Sequence, residues 1–282
     1  MKRIVLPTDF SGNANNAIDY AMQLFAEEEC VFYLLHTYSP AIYRADYMLH
    51  SPGQIGLGDI YQEASMTQLE ELSARLKKKF KNDKHKFVEH AAFNLLVDEV
   101  NEVVEKENIE LIIMGTQGAT GAKEIFMGTH TMHVIRKANC PVIAIPPNFA
   151  YEKPKEILFP TDYEVDYQKE HIKQLLYMAK EHISRINVMY VHSGYDLTED
   201  QLAKKNKLEK LLRNTSYLFH EMPDQEVVSA INNFQLKTKI NLLVMIQNQH
   251  GFFENLFLKS VIKQIGFHTN VPFMVFPPII KN

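Results

Sequence analysis

The chain has 282 residues, 46% of them hydrophobic and 23% charged, with a formal net charge of −4. That length suits two average domains, and the charge balance excludes the basic footprint of a nucleic-acid binder. No apolar run approaches the roughly 18 to 20 residues that span a bilayer. The start, MKRIVLPTDF, is too short in apolar residues for a signal-peptide core, and Cys30 and Cys140 make no disulfide framework. The expectation is a cytoplasmic protein with buried, inert thiols.

In chain order, Ile4–Pro7 reads as a strand and Ser11–Glu28 as a helix, with Ser11 as its N-cap and apolar residues at Ala14, Ala17, Ile18, Ala21 and Leu24. Val31–His36 is a buried-type strand. Ser39–Ile60 follows, rich in Pro, Gly and Tyr and without periodicity, and reads as a loop that is either a lid or a surface decoration. Ala64–Phe80 is an amphipathic helix whose basic end, Arg75–Lys81, suits the negative pole of the macrodipole. Strand Phe87–Phe93, helix Leu96–Lys106, strand Leu111–Met114, helix Thr129–Lys137 and strand Val142–Ile145 complete a βαβαβαβαβ order.

The same order recurs. Arg3-Ile-Val-Leu-Pro-Thr-Asp9 matches Glu156-Ile-Leu-Phe-Pro-Thr-Asp162, Ile109–Met114 matches Ile240–Met245, and Cys140–Pro147 matches Val271–Pro278. Three pairs in one order divide the chain into two copies, 1–150 and 151–282, the first with an insertion near 39–60. In copy two, strands fall at Ile157–Phe159, Ile186–Val191, Ser216–His220, Leu242–Met245 and Phe273–Phe276. Helices fall at Tyr167–Ile183, Asp200–Leu212, Glu226–Leu236 and Asn255–Phe267. Short apolar strands separated by helices predict two tandem α/β domains, doubly wound in the Rossmann-like or flavodoxin-like manner, each with a five-stranded, mostly parallel sheet. Such sheets bind ligands beyond the carboxyl ends of their strands.

Between Met114 and Thr131 the chain reads MGTQGATGAKEIFMGTHT, with the spacing Gly115-x2-Gly118-x9-Gly128-Thr129. It is neither a Walker A loop nor a dinucleotide fingerprint. Glycines after a strand let the backbone approach a ligand, and the helix start at Gly128-Thr129-His130-Thr131 favours an anion, with the hydroxyls of Thr129 and Thr131 as added donors. Lys123 lies inside the loop and reads as a solvated lysine. His130 and His133 have usable metal spacing but no carboxylate or thiol cluster beside them, and His36 and His192 occupy matching strand ends. No nucleophile elbow or Cys–His pair is present.

This spacing, with Pro7-Thr8-Asp9 ending the first strand, resembles the universal stress protein family in its tandem form. The resemblance implies an adenine nucleotide in copy one: ATP, or AMP or ADP in its place, with or without Mg. It places Asp9 at the adenosine, Pro7 and Thr8 in the wall, Thr37 near the base, and Met114, Gly115 and Gly118 where the backbone approaches ribose and phosphate. Gly128, Thr129, His130 and Thr131 then hold phosphates. It implies a role in stress response or signalling, no enzyme beyond slow ATP hydrolysis, and domains paired about a pseudo-twofold axis, with homodimerisation open. Copy two departs from the pattern, because Ile246, Gln249 and Lys259 stand where copy one has its glycines and Phe252 and Phe253 crowd the loop. The alternative is a nucleotide-independent scaffold that binds a protein or a small apolar ligand. A hydrolase or ligase of the related nucleotide-handling type ranks below both, since residues 10–14 (FSGNA) lack its phosphate loop.

Overall fold

A computed structural model describes residues 1–38, 57–116, 128–169, 172–192, 196–223, 226–247 and 270–278, side chains at 57–59 and 192 excepted. The chain divides into two compact units, Met1–Asn148 and Phe149–Asn282. Among the described residues, unit 1 runs β1 (Lys2–Pro7), α1 (Gly12–Leu24), β2 (Cys30–Thr37), α2 (Leu57–Phe80), β3 (His85–Ala92), α3 (Leu96–Glu107), β4 (Leu111–Gly115), α4 (Thr129–Lys137) and β5 (Val142–Ile145). Its strands lie in the order β3-β2-β1-β4-β5, all parallel.

The chain therefore winds outward from β1 to β3, then returns to the other side of β1 for β4. The reversal between β1 and β4 is the topological switch point, where helices leave the sheet in opposite directions and open a crevice at the strand ends. The core follows from the sequence pattern. β4 and β5 are buried along their whole length, as continuous apolar strands covered on both faces must be. α1 buries the Ala14, Ala17, Ile18 and Ala21 face, and its small residues let the helix lie close to the sheet.

Unit 2 runs β6 (Glu156–Pro160), α5 (Lys173–His182), β7 (Arg185–His192), α6 (Glu199–Leu212), β8 (Ser216–Pro223), α7 (Val227–Lys237), β9 (Leu242–Ile246) and β10 (Phe273–Phe276). Its parallel order, β10-β9-β6-β7-β8, is the same winding. The helix expected at Asn255–Phe267 lies outside the described residues.

Four expectations need correction. α1 ends at Leu24, not Glu28, because Glu27 and Glu28 place negative charge at the negative pole of the helix. α2 begins at Leu57, seven residues before the expected Ala64, so the end of the 39–60 insertion is helical; α2 has 24 residues against 14 in α6. The rest of that insertion, 39–56, lies outside the described residues. α5 begins at Lys173, not Tyr167, because the preceding segment is held in a non-helical path. Tyr163 takes a left-handed φ of 56°, the side chain of Gln201 donates to the carbonyl of Asp162 (3.2 Å), and Lys204 donates to the carbonyl of Glu164 (3.1 Å). Finally, β1 pairs Pro7 with Leu35 and β6 pairs Pro160 with Met189, so the counterpart of His36 is Tyr190, and His192 lies two residues further along.

Candidate functional site

The end of β1 is shaped by its own side chains. The Thr8 hydroxyl accepts the N–H of Phe10 (3.0 Å), and a carboxylate oxygen of Asp9 accepts the N–H of Ser11 (3.1 Å). These two short loops turn the chain out of the sheet, with Phe10 at a φ of 61°. The Ser11 hydroxyl then caps α1 by accepting the N–H of Ala14 (3.2 Å). From β2, His36 donates through Nδ1 to the Thr8 carbonyl (2.8 Å) and sets its ring 4.7 Å from that of Phe10.

Across the switch point, Gly115 ends β4. A Cβ there would meet the Asn13 side-chain nitrogen at 3.0 Å and the Asn13 carbonyl oxygen at 3.1 Å. The first turn of α1 thus approaches β4 so closely that a side chain at this position would require its neighbour to give by a few tenths of an ångström. The glycine-rich loop, 117–127, lies outside the described residues, and Gly118 and Lys123 with it. Its stem is closed by the N–H of Gly128 donating to the Thr116 carbonyl (2.5 Å). Gly128 is the N-cap of α4 and has no side chain with which to cap that helix. The buried Thr131 hydroxyl donates to the Gly115 carbonyl (2.8 Å), so its proton holds α4 against β4.

A cavity of about 210 Å³ opens at this switch point. Pro7, Thr8 and Asp9 line it from the end of β1, and Thr37 from the end of β2. Met114 and Gly115 of β4, with His130 and Thr131 of α4, line the other side. Gly128 and Thr129 belong to the same helix start without lining the cavity.

Ala14, His36 and the segment Asn94-Leu95-Leu96 also line it, and sequence reasoning assigned none of these to the site. The signal for the last was available: β3 pairs in register with β2 up to Thr37–Ala92, so residues just after β3 must emerge beside those just after β2.

The corresponding place in unit 2 is built differently. The turn is retained, with the Thr161 hydroxyl accepting the N–H of Tyr163 (3.1 Å) and Asp162 accepting that of Glu164 (3.0 Å). But Tyr167, which matches Ala14 by its distance in sequence from Pro-Thr-Asp, lies before α5 and outside any helix. It is fully buried, and its phenol hydrogen-bonds the Thr161 hydroxyl, the counterpart of the cavity-lining Thr8. Tyr190 replaces His36 and lies 5.0 Å from the buried Tyr163 ring. Burial is the main reason that the phenols of Tyr163 and Tyr167 are held far above their ordinary pKa. Ile246 replaces Gly115 and is buried.

Elsewhere the chemistry is quiet. Burial pushes the Cys30 and Cys140 thiols up to about 12, which leaves them inert. Among the described residues no three His, Cys, Asp or Glu side chains gather as metal ligands, and no helix is long and apolar enough to cross a membrane.

Fold and site together define a doubly wound α/β protein with a cavity at the switch point of its first unit. The family model described as the universal stress protein family matches residues 1–146, and the chain belongs to that family. Universal stress protein MJ0577 of Methanocaldococcus jannaschii is 32% identical over 155 residues, covering 51% of this chain and 94% of that protein. Universal stress protein Slr1230 of Synechocystis is 25% identical over 294 residues and covers 98% of this chain and all of its own length. The crystal structure of a universal stress protein from Archaeoglobus fulgidus has the same fold over 98% of both chains, with a TM-score of 0.70 at 16% identity.

Proposed function

We propose that unit 1 holds an adenine nucleotide and that the chain acts as a nucleotide-binding module in stress response or signalling. ATP is the leading ligand, AMP and ADP the alternatives, and Mg would come bound to the phosphates. One observation carries this reading: the lining of the cavity brings Asp9 and Thr37 together with His130 and Thr131 of α4. That helix starts at a glycine N-cap, which has no side chain to satisfy its first N–H groups.

The first N–H groups of a helix lack internal partners, and the macrodipole adds positive potential there. A phosphate satisfies both at α4, while the Asp9 carboxylate in the same lining suits the hydroxyl or amino donors of a nucleoside. Pro7, Ala14, Leu96 and Met114 supply the apolar surface between. The role we assign to the lining residues is binding, with slow ATP hydrolysis at most.

The nucleotide sits in unit 1 only, since in unit 2 the buried Tyr167 phenol is bonded to the Thr161 hydroxyl, the counterpart of the cavity-lining Thr8. Isothermal titration with ATP, ADP and AMP tests the reading, on the wild type and on Gly118→Phe. The expected result is one nucleotide per chain, lost in the variant. No binding by the wild type overturns the proposal, two nucleotides per chain overturn the one-site reading, and unaltered binding by Gly118→Phe removes the loop from the site.

A further inference from the structure

One wall of the unit 1 cavity runs against the ordinary preferences of a helix start. Leu95 is the N-cap of α3, in extended conformation, and makes no side-chain hydrogen bond to the helix. Ser, Thr, Asp or Asn is favoured at that position, and an aliphatic residue forgoes on the order of 1 kcal/mol. Nor does Leu95 serve the core, since it is 70% exposed. Phe93, two residues earlier, is 54% exposed and lies 5.9 Å from the ring of Tyr38, the residue after Thr37.

The segment is nonetheless tied down. The Asn94 side-chain oxygen accepts the N–H of Leu95 (2.8 Å), and its amide donates to Glu99 (2.9 Å). Glu99 lies in the first turn of α3, is buried, and also accepts the Nε2–H of His90 from β3 (2.6 Å). So the backbone that carries this apolar side chain, which neither caps its helix nor fills the core, is tied by a three-residue network at the wall of a cavity. Unit 2 supplies the contrast: the N-cap of α7 is the exposed Glu226, in the unit where the buried Tyr167 phenol takes up the Thr161 hydroxyl. The apolar cap goes with the open cavity.

We infer that Leu95 is a specificity-determining residue that covers the flat face of the nucleotide base, with Asn94, Glu99 and His90 as its positioning residues. The inference rests on the reading of unit 1 as a nucleotide site. It makes base recognition on this side a matter of apolar cover and not of hydrogen bonding, so the gain comes from burying Leu95 and the ring together.

The test is Leu95→Ser, because serine at an N-cap accepts a first-turn N–H and does not harm the helix. Binding of ATP, adenosine and inorganic triphosphate is measured by titration calorimetry, with the melting temperature alongside and Leu95→Met as the conservative control. Losing the apolar contact weakens ATP and adenosine roughly five- to tenfold. Triphosphate affinity stays at the wild-type value, the melting temperature does not fall, and Leu95→Met binds as the wild type does. Unchanged ATP binding in Leu95→Ser overturns the inference alone and leaves the nucleotide site standing; it would mark Phe93 and Leu95 as a surface for another partner. A parallel loss of triphosphate, or a lower melting temperature, also overturns it. A wild type that binds no nucleotide overturns both readings.

Discussion

Gly115→Ala separates a glycine kept for a ligand from one kept for the fold. The new methyl would stand 3.0 Å from the Asn13 side-chain nitrogen, 3.1 Å from the Asn13 carbonyl oxygen and 3.2 Å from its Cγ. The Asn13 amide can swing away. Its carbonyl cannot, because it belongs to the first turn of α1, and that turn is anchored at Ser11 and packed on the sheet through Ala14 and Ala17. The helix must shift by a few tenths of an ångström as a body. Overpacking of this kind costs about 1–3 kcal/mol. Against it, the alanine restricts the unfolded chain and recovers about 0.4–1 kcal/mol. The net expectation is a loss of about 1 kcal/mol, or about 3 °C in melting temperature for a unit of this size. Circular dichroism melts without nucleotide measure it, and titration with ATP on the same samples reports the site. A variant as stable as the wild type that has lost ATP binding refutes the packing argument and returns Gly115 to the ligand alone. A variant that is destabilised and still binds assigns the glycine to the seating of α1.

Tyr167 should behave as a space-filling residue in unit 2: Tyr167→Phe loses one hydrogen bond, to Thr161, and costs about 1 kcal/mol, whereas Tyr167→Ala empties the space and costs about 3–5 kcal/mol in urea unfolding. A cost below 1 kcal/mol for the alanine variant would show that the ring fills nothing. His182 predicts an acid limb. It is buried, its Nε2 has no hydrogen-bond partner among the described residues, and burial, with the charges of Lys153 and Lys155, lowers its pKa to about 4. In the unfolded chain the ring titrates near its ordinary 6.5. Below that value the unfolded state takes a proton that the folded state refuses, so stability is complete above about pH 6.5, falls as the pH drops towards 4, and levels off beneath it. The loss between pH 7.5 and 5 is about 2 kcal/mol for this residue. Burial lowers the pKa of His85 and His220 in the same sense. Urea midpoints at the two pH values should therefore move together in His182→Leu, and an undiminished gap in that variant assigns the acid limb elsewhere.

The strands were legible because their evidence is local. Val142–Ile145 and Phe273–Phe276 begin and end where the apolar runs do, since a strand buried on both faces has no polar residue to blur its edges. Tyr167 was not legible. Its apolar neighbours have helical spacing, but the residue is placed by Thr161 at the end of β6 and by α6 side chains that hold Asp162 and Glu164, contacts no periodicity encodes. The helical residues 57–63 were hidden by the Gly-rich segment before them, and the His36–Tyr190 equivalence by assuming that like residues mark like positions. Of the cavity, the residues that come from motifs were found. Asn94, Leu95 and Leu96 were not, because they carry no motif, and only the pairing of β3 with β2 brings them to the site.

Having two copies of one unit changes which residues count as evidence for a ligand. Pro-Thr-Asp looks like part of a binding motif, yet both copies keep it and both use it identically: the threonine hydroxyl and the aspartate oxygen accept successive backbone N–H groups, and the following aromatic residue takes a left-handed φ. A feature retained in the unit where the buried Tyr167 phenol takes up the Thr161 hydroxyl is explained by the turn it makes. What distinguishes unit 1 lies around that turn. Alanine stands there in place of Tyr167, histidine in place of Tyr190, glycine in place of Ile246, and an exposed leucine in place of Glu226. The glycine withholds volume that Asn13 of α1 takes up, so it speaks for the fold, whereas the first difference leaves the Thr8 side of unit 1 lining a cavity and the fourth brings an apolar group to its wall. A cavity in a close-packed α/β core leaves contacts unmade. On the reading proposed above, the nucleotide restores those contacts, and the start of α4, with a glycine as its N-cap, suits its negative charge.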